Sequence, residues 1–148
     1  MNELELSTLI ETALVARNLR GMQVAREALE PGYYLRAARV LQDIDGKVII
    51  GTGFPVTDTF ETDGPVGAIA LYETLEKLGA EPWLACGPPL SKCLDGDYRV
   101  LELAARSLAT AEEEALANLE TLKPAAIVSI ERPGLSADGC YYNMRGEN

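Results

Sequence analysis

A chain of 148 residues suits one domain, and with 47% hydrophobic residues it can bury a core without disulfides or metals. Its formal net charge of −10 argues against a nucleic-acid binder, which would show a basic face, and no apolar run approaches a membrane span. The sequence has no histidine, which removes imidazole general-base chemistry, Ser-His triads and histidine-ligated zinc; catalysis would fall to carboxylates, Lys, Tyr, Arg, backbone amides or a hard metal held by oxygen.

The N-terminal stretch "MNELELSTLIETAL" is acidic and does not read as a signal peptide. Leu4, Leu6, Leu9, Ile10, Ala13, Leu14 and Val15 recur at helical spacing, which predicts an amphipathic helix over 3–19. "MQVAREALEPG" predicts a short second helix broken at Pro31-Gly32, and "YYLRAARVLQDIDG" a third. From Lys47 the pattern changes. "KVIIGTGFP" reads as a buried strand. "DGPVGAIALYETLEKLGA" reads as a helix with Pro65 in its first turn and Gly79 at its end. "EPWLACG" gives a second strand. "DYRVLELAARSLATAEEEALANLETLK" holds one long helix or two shorter ones, with Glu112-Glu113-Glu114 on a solvated face. "PAAIVSIERPG" gives a third strand.

This order predicts an α/β fold, a three-layer Rossmann-like parallel sheet preceded by an N-terminal helical segment. The expected division is a helical segment over 1–46, packed on the same domain, and an α/β portion over 47–148. The three cysteines, Cys86, Cys93 and Cys140, lack metal-site spacing and read as buried or free thiols in a reducing cytoplasm.

Ligands of open parallel sheets bind beyond the carboxyl ends of the strands. Two segments fall there. The first, "GTGFPVTDTFETDGPVGA", brings Gly51, Thr52, Gly53, Glu61, Thr62, Asp63 and Gly64 to a helix start, where free amides favour a phosphate or carboxylate. Asp63 or Thr62 serves equally well there as a plain helix cap. No compact GxGxxG turns into a helix, so no nucleotide cofactor is expected. The second is the closing stretch "ERPGLSADGCYYNMRGEN". It joins Arg132 and Arg145, suited to bidentate carboxylate recognition, to Glu131 and Asp138, each suited to a general base or magnesium ligand. Surface ion pairs and a frayed tail are the plainer alternative.

"GTGFPV", "ETDGPVGAIAL" and "ERPGLSADGCYYNMRG", in this order, resemble the D-glutamate cyclase C-terminal-like family. The resemblance covers essentially the whole chain but about the first half of the family's domain, whose members continue to a glycine-rich acidic motif absent here. It therefore implies an incomplete α/β domain, truncated, cleaved or paired with a second half. It also implies cyclisation of D-glutamate to 5-oxo-D-proline with loss of water, a lyase-type reaction, aided by Mn²⁺ or Mg²⁺. In that chemistry Arg132 and Arg145 would hold the two carboxylates. Glu131 or Asp138 would take the amine proton, and Glu61 and Asp63 would bind a metal or orient the amine. Gly51, Thr52, Gly53, Thr62, Gly64 and Asn143 would contact substrate. The expected partners are D-glutamate and either a second copy of the chain or the second half, with no nucleic acid and no membrane. The chain alone is expected to turn over D-glutamate poorly. The alternative from another class is a non-catalytic module that binds a small carboxylate or phosphate metabolite.

Overall fold

The apolar run at Lys47 forms, in the computed structural model, the parallel strand β1 (Lys47–Thr52), with every residue from Val48 to Thr52 buried. A strand buried on both faces needs apolar side chains on both, and "VII" supplies them. The structure describes residues 1–56, 59–105, 107–142 and 145–146. They fall into two compact units, Met1–Asp43 and Ile44–Asn148.

The second unit carries a four-stranded sheet. β1 pairs in parallel with β4 (Glu81–Cys86) on one side and with β6 (Ala126–Ile130) on the other, and β5 (Val100–Glu102) adds beyond β4. A two-residue hairpin, β2 (Pro55–Val56) with β3 (Thr59–Phe60), follows β1. The three strands expected from the sequence are thus neighbours in one parallel sheet. The crossovers are α4 (Asp63–Lys77), the short α5 (Leu90–Leu94) and α6 (Leu108–Leu122).

Side chains alternate across the sheet. Register aligns Ile50 with Leu84 and Val128, and Thr52 with Ile130. Ile130 reaches Gly67 of α4, so this row lies under α4, whose Ala68, Tyr72 and Leu75 are buried. On the opposite face Ile49, Ala85, Trp83 and Leu101 pack with Leu122 of α6. Helix, sheet and helix make the three layers.

α4 ends as its sequence predicts. Gly79 takes φ +98°, its N–H donates to Glu76 O, and the Ala80 N–H donates to Leu75 O, the Schellman arrangement. The segment expected to hold one long helix or two shorter ones holds one, and a strand precedes it: Val100–Glu102 pairs with β4, and α6 begins only after Ser107. The Ser107 hydroxyl caps it reciprocally with Thr110.

The first unit holds α1 (Glu3–Val15), α2 (Met22–Glu27) and α3 (Tyr33–Gln42). α1 stops four residues short of the expected end, because Asn18 and Arg20 take left-handed φ values of 46° and 54°. The residues of α1 buried in this unit are Ser7, Glu11 and Val15. The Glu11 carboxylate accepts from the Ser7 hydroxyl at 2.7 Å and from the N–H groups of Gly32 and Tyr34, while Ser7 Oγ accepts from Leu35 N–H. One helix thereby caps the start of another, satisfying amides that α3's own glycine cap leaves open. Burial pushes the Glu11 carboxyl up, but the Ser7 hydroxyl, the two amides and the nearby Arg26 charge outweigh it and hold the group below the ordinary glutamate value.

Candidate functional site

The carboxyl ends of the parallel strands open onto one cavity of about 680 Å³. Gly53 follows β1, Gly87 and Pro88 follow β4, Leu103 follows β5, and Arg132 and Pro133 follow β6; all line it. Phe60 of β3, Leu108 and Glu114 of α6, and Cys140 and Tyr141 of the closing stretch complete much of the wall. The two segments singled out in the sequence therefore meet in space. They meet because the chain runs outward from β1 through β4 to β5 and then returns to place β6 on β1's other side. That reversal leaves a crevice at the strand ends.

Glu131 and Arg132 diverge around the end of β1. The Arg132 guanidinium donates to the Thr52 carbonyl oxygen at 3.2 Å and its stem lies against Gly51, on the cavity side. Glu131, with a left-handed φ of 46°, turns to the α4 side, and its Cβ lies against Gly64: a Cβ added there would stand 2.5 Å from it. Glu131 does not line the cavity. Thr52 is wholly buried, and its hydroxyl has no hydrogen-bond partner among the described residues. Gly53 has φ +98°, and a Cβ there would stand 3.0 Å from Leu90.

The start of α4 offers an anion less than its glycines suggest. Pro65 has no N–H, and the Gly64 N–H is already donated to Asp63 Oδ1 at 3.1 Å. Thr62 is the N-cap residue but makes no side-chain cap bond. Glu61, Thr62 and Asp63 are exposed and do not line the cavity. No group of three or more Cys, Asp or Glu side chains gathers among the described residues as a metal cage. Glu61 and Asp63 alone would leave most of a magnesium or manganese coordination sphere to other donors. Magnesium is commonly held by one or two carboxylates with water and substrate completing its shell, so Glu61 and Asp63 are the residues that would hold it.

The closing stretch is more structured than a frayed tail. Leu135 bridges Tyr141 in antiparallel fashion, Ser136 N–H donates to Cys140 O, and Gly139 N–H donates to Ser136 O. Asp138 organises this turn, accepting from the Ser136 hydroxyl, the Tyr142 hydroxyl at 2.6 Å and the Cys140 N–H. These three donors hold its carboxyl below the ordinary aspartate value, and the same bond pushes the Tyr142 phenol up to about 12. An acceptor so saturated is a poor general base. Arg145 is exposed in a turn, and Asn143 lies outside the described residues.

Glu114 was not singled out by the sequence, where it reads as part of a solvated acidic run. In the fold it accepts from the N–H groups of Ala104 and Ala105 at 2.9 and 3.3 Å, holding the segment after β5 against the cavity wall. Burial pushes the Cys86 thiol up to about 11, outweighing the opposing Arg132 charge, so this cysteine is no nucleophile.

The class is thus an α/β unit of parallel strands between helices, with a cavity at the carboxyl ends of its strands. The family model described as "D-glutamate cyclase-like, C-terminal" matches residues 10–148, and the chain belongs to that family. No curated protein matches the sequence.

Proposed function

We propose that this family member acts in closing D-glutamate to 5-oxo-D-proline with release of water. The observation that carries the reading is the divergence of Glu131 and Arg132 around the end of β1, an acid group and a guanidinium on consecutive residues at the ligand end of the sheet. Arg132 presents a planar fork that pairs with a carboxylate. Because Glu131 lies on the α4 side and does not line the cavity, a glutamate held by its α-carboxylate on Arg132 has to lie across the end of β1 for its ammonium to meet the Glu131 carboxylate. Glu131 removes a proton, and the nitrogen lone pair attacks the γ-carboxyl carbon. The new C–N bond forms, a C–O bond breaks, and the two protons shed by nitrogen leave with that oxygen as water. Bringing amine and carboxyl together is chiefly a positioning task, and oriented intramolecular reactions gain up to roughly 7–11 kcal/mol from it. No step is assigned to a metal.

The test follows 5-oxoproline by chromatography with D- and L-glutamate, for this chain and for a longer member of the family, with thermal shift as the binding readout. Turnover of the D-enantiomer by the longer protein, with binding by this chain, is the expected result. Glu131→Gln should lower kcat, and Arg132→Lys should chiefly raise KM. No turnover of either enantiomer by the folded longer protein would remove the cyclase reading. Binding without turnover by both proteins would favour a non-catalytic carboxylate-binding module, which the saturated state of Asp138 also suits.

A further inference from the structure

We propose that Thr52 is the positioning residue for Glu131: its buried hydroxyl donates to the Glu131 carboxylate when that side chain turns inward beside Gly64. The remaining buried side chains of β1 are Val48, Ile49 and Ile50, the apolar choice for a central parallel strand. Thr52 breaks that pattern. It is wholly buried, and its Oγ1 is a buried side-chain polar atom without a partner among the described residues. Native proteins seldom leave such a group unpaired, because its lost hydration is not returned.

Glu131 offers an acceptor beside the Thr52 hydroxyl. A Cβ on Gly64 would stand 3.3 Å from Thr52 Oγ1 and 2.5 Å from Glu131 Cβ, so the hydroxyl and the root of the glutamate border the same point. The carboxylate, three bonds beyond Cβ, spans that gap by rotation about the side-chain bonds. Asp63 holds the Gly64 N–H, and Arg132 donates to Thr52's own carbonyl oxygen. Register places Thr52 opposite Ile130, the residue before Glu131, so the pairing of β1 with β6 fixes donor and acceptor side by side. Gly64, lacking a side chain, leaves the space in which the two meet.

The contact can be judged without any activity. Thr52→Val keeps the shape and removes the hydroxyl. Thr52→Val and Glu131→Ala, singly and together, are compared by urea unfolding followed through Trp83 fluorescence, a double-mutant cycle. With Glu131 present, Thr52→Val should lower the folding equilibrium constant by about tenfold, the size of a hydrogen bond to a charged group. In the Glu131→Ala background it should change little or rise. The same effect in both backgrounds overturns the proposal. Should Thr52→Val not fold, a crystal structure of the unaltered chain decides: a Glu131 oxygen within hydrogen-bond distance of Thr52 Oγ1 supports the pair, and any other acceptor there overturns it. The kinetic consequence rests on the cyclase reading. In an active family member Thr52→Val should lower kcat with little change in KM, and Thr52→Ser should restore it. Absence of activity in the unaltered protein would remove that reading and leave the cycle to judge the contact.

Discussion

Gly64 and Gly67 lie one turn apart on α4 and have opposite reasons for lacking a side chain. At Gly64 a Cβ would stand 2.5 Å from Glu131 Cβ, a distance that forces the segment after β6 to move. At Gly67 it would stand 3.6 Å from Ile130, an ordinary contact. Gly64→Ala should therefore destabilise the α/β unit by about 1–3 kcal/mol, as overpacking does. Gly67→Ala should be neutral or stabilise by up to about 1 kcal/mol, through the helix preference for alanine. Urea midpoints of the two variants check the contrast; equal effects would mean that Glu131 does not rest on Gly64. The sequence shows both glycines at a helix start and suggests an anion site. Only the fold distinguishes them, because the atom that fills Gly64's space comes from a residue 67 positions further along the chain.

At the scale of elements, the strongly patterned ones were legible and the short ones were not. β1, β4 and β6 announce themselves as apolar runs bounded by glycine or proline, and α4 and α6 by periodicity and caps. β5 was hidden because "VLE" is followed by "LAARSLATAEEEALA", a run of helix formers, and three residues are too few to show alternation. The cavity wall was hidden for the same reason, since Leu103 and the segment after it were read as helix. Glu114 tests this view of the wall. Glu114→Ala frees the amides of Ala104 and Ala105, so their hydrogen exchange should accelerate while amides of β1 stay protected. Unchanged exchange at both would show that Glu114 does not hold the segment. In the helical unit, no sequence pattern pairs Glu11 with Gly32, because the cap is supplied from another helix. Glu11→Gln should weaken that unit and lower its helical circular dichroism under mild denaturant. The pH dependence has a definite sign. The Glu11 carboxyl is lowered on folding, so its contribution is complete above about pH 4.5, the ordinary glutamate value, and is lost as pH falls through the lowered one. The Gln variant should lack that acid-dependent loss.

At the scale of the whole molecule, two effects of acid oppose each other. The formal net charge of −10 at pH 7 falls toward zero near the sequence isoelectric point of about 4.5, which relieves self-repulsion and favours the compact state. Among the described residues, three carboxylates are lowered on folding. Glu11 is held by Ser7 and amides against its own burial, Glu102 by Ser91 and Lys92, and Asp138 by Ser136, Tyr142 and the Cys140 amide. Each contributes stability above its ordinary value and loses it as pH falls through the lowered one. Relief of repulsion therefore acts from pH 7 down to about 4.5, and loss of carboxylate contacts acts below it. The melting temperature should hold or rise slightly on going from pH 7 to 5, then fall steeply below about pH 4, while solubility passes through its minimum near pH 4.5. Salt separates the two effects. Screening at pH 7 should raise the melting temperature because repulsion is what it removes, and near the isoelectric point the same salt should do little. A melting temperature that falls steadily from pH 7, with no response to salt, would mean that the acidic surface does not oppose folding and that the paired carboxylates are not what the acid removes.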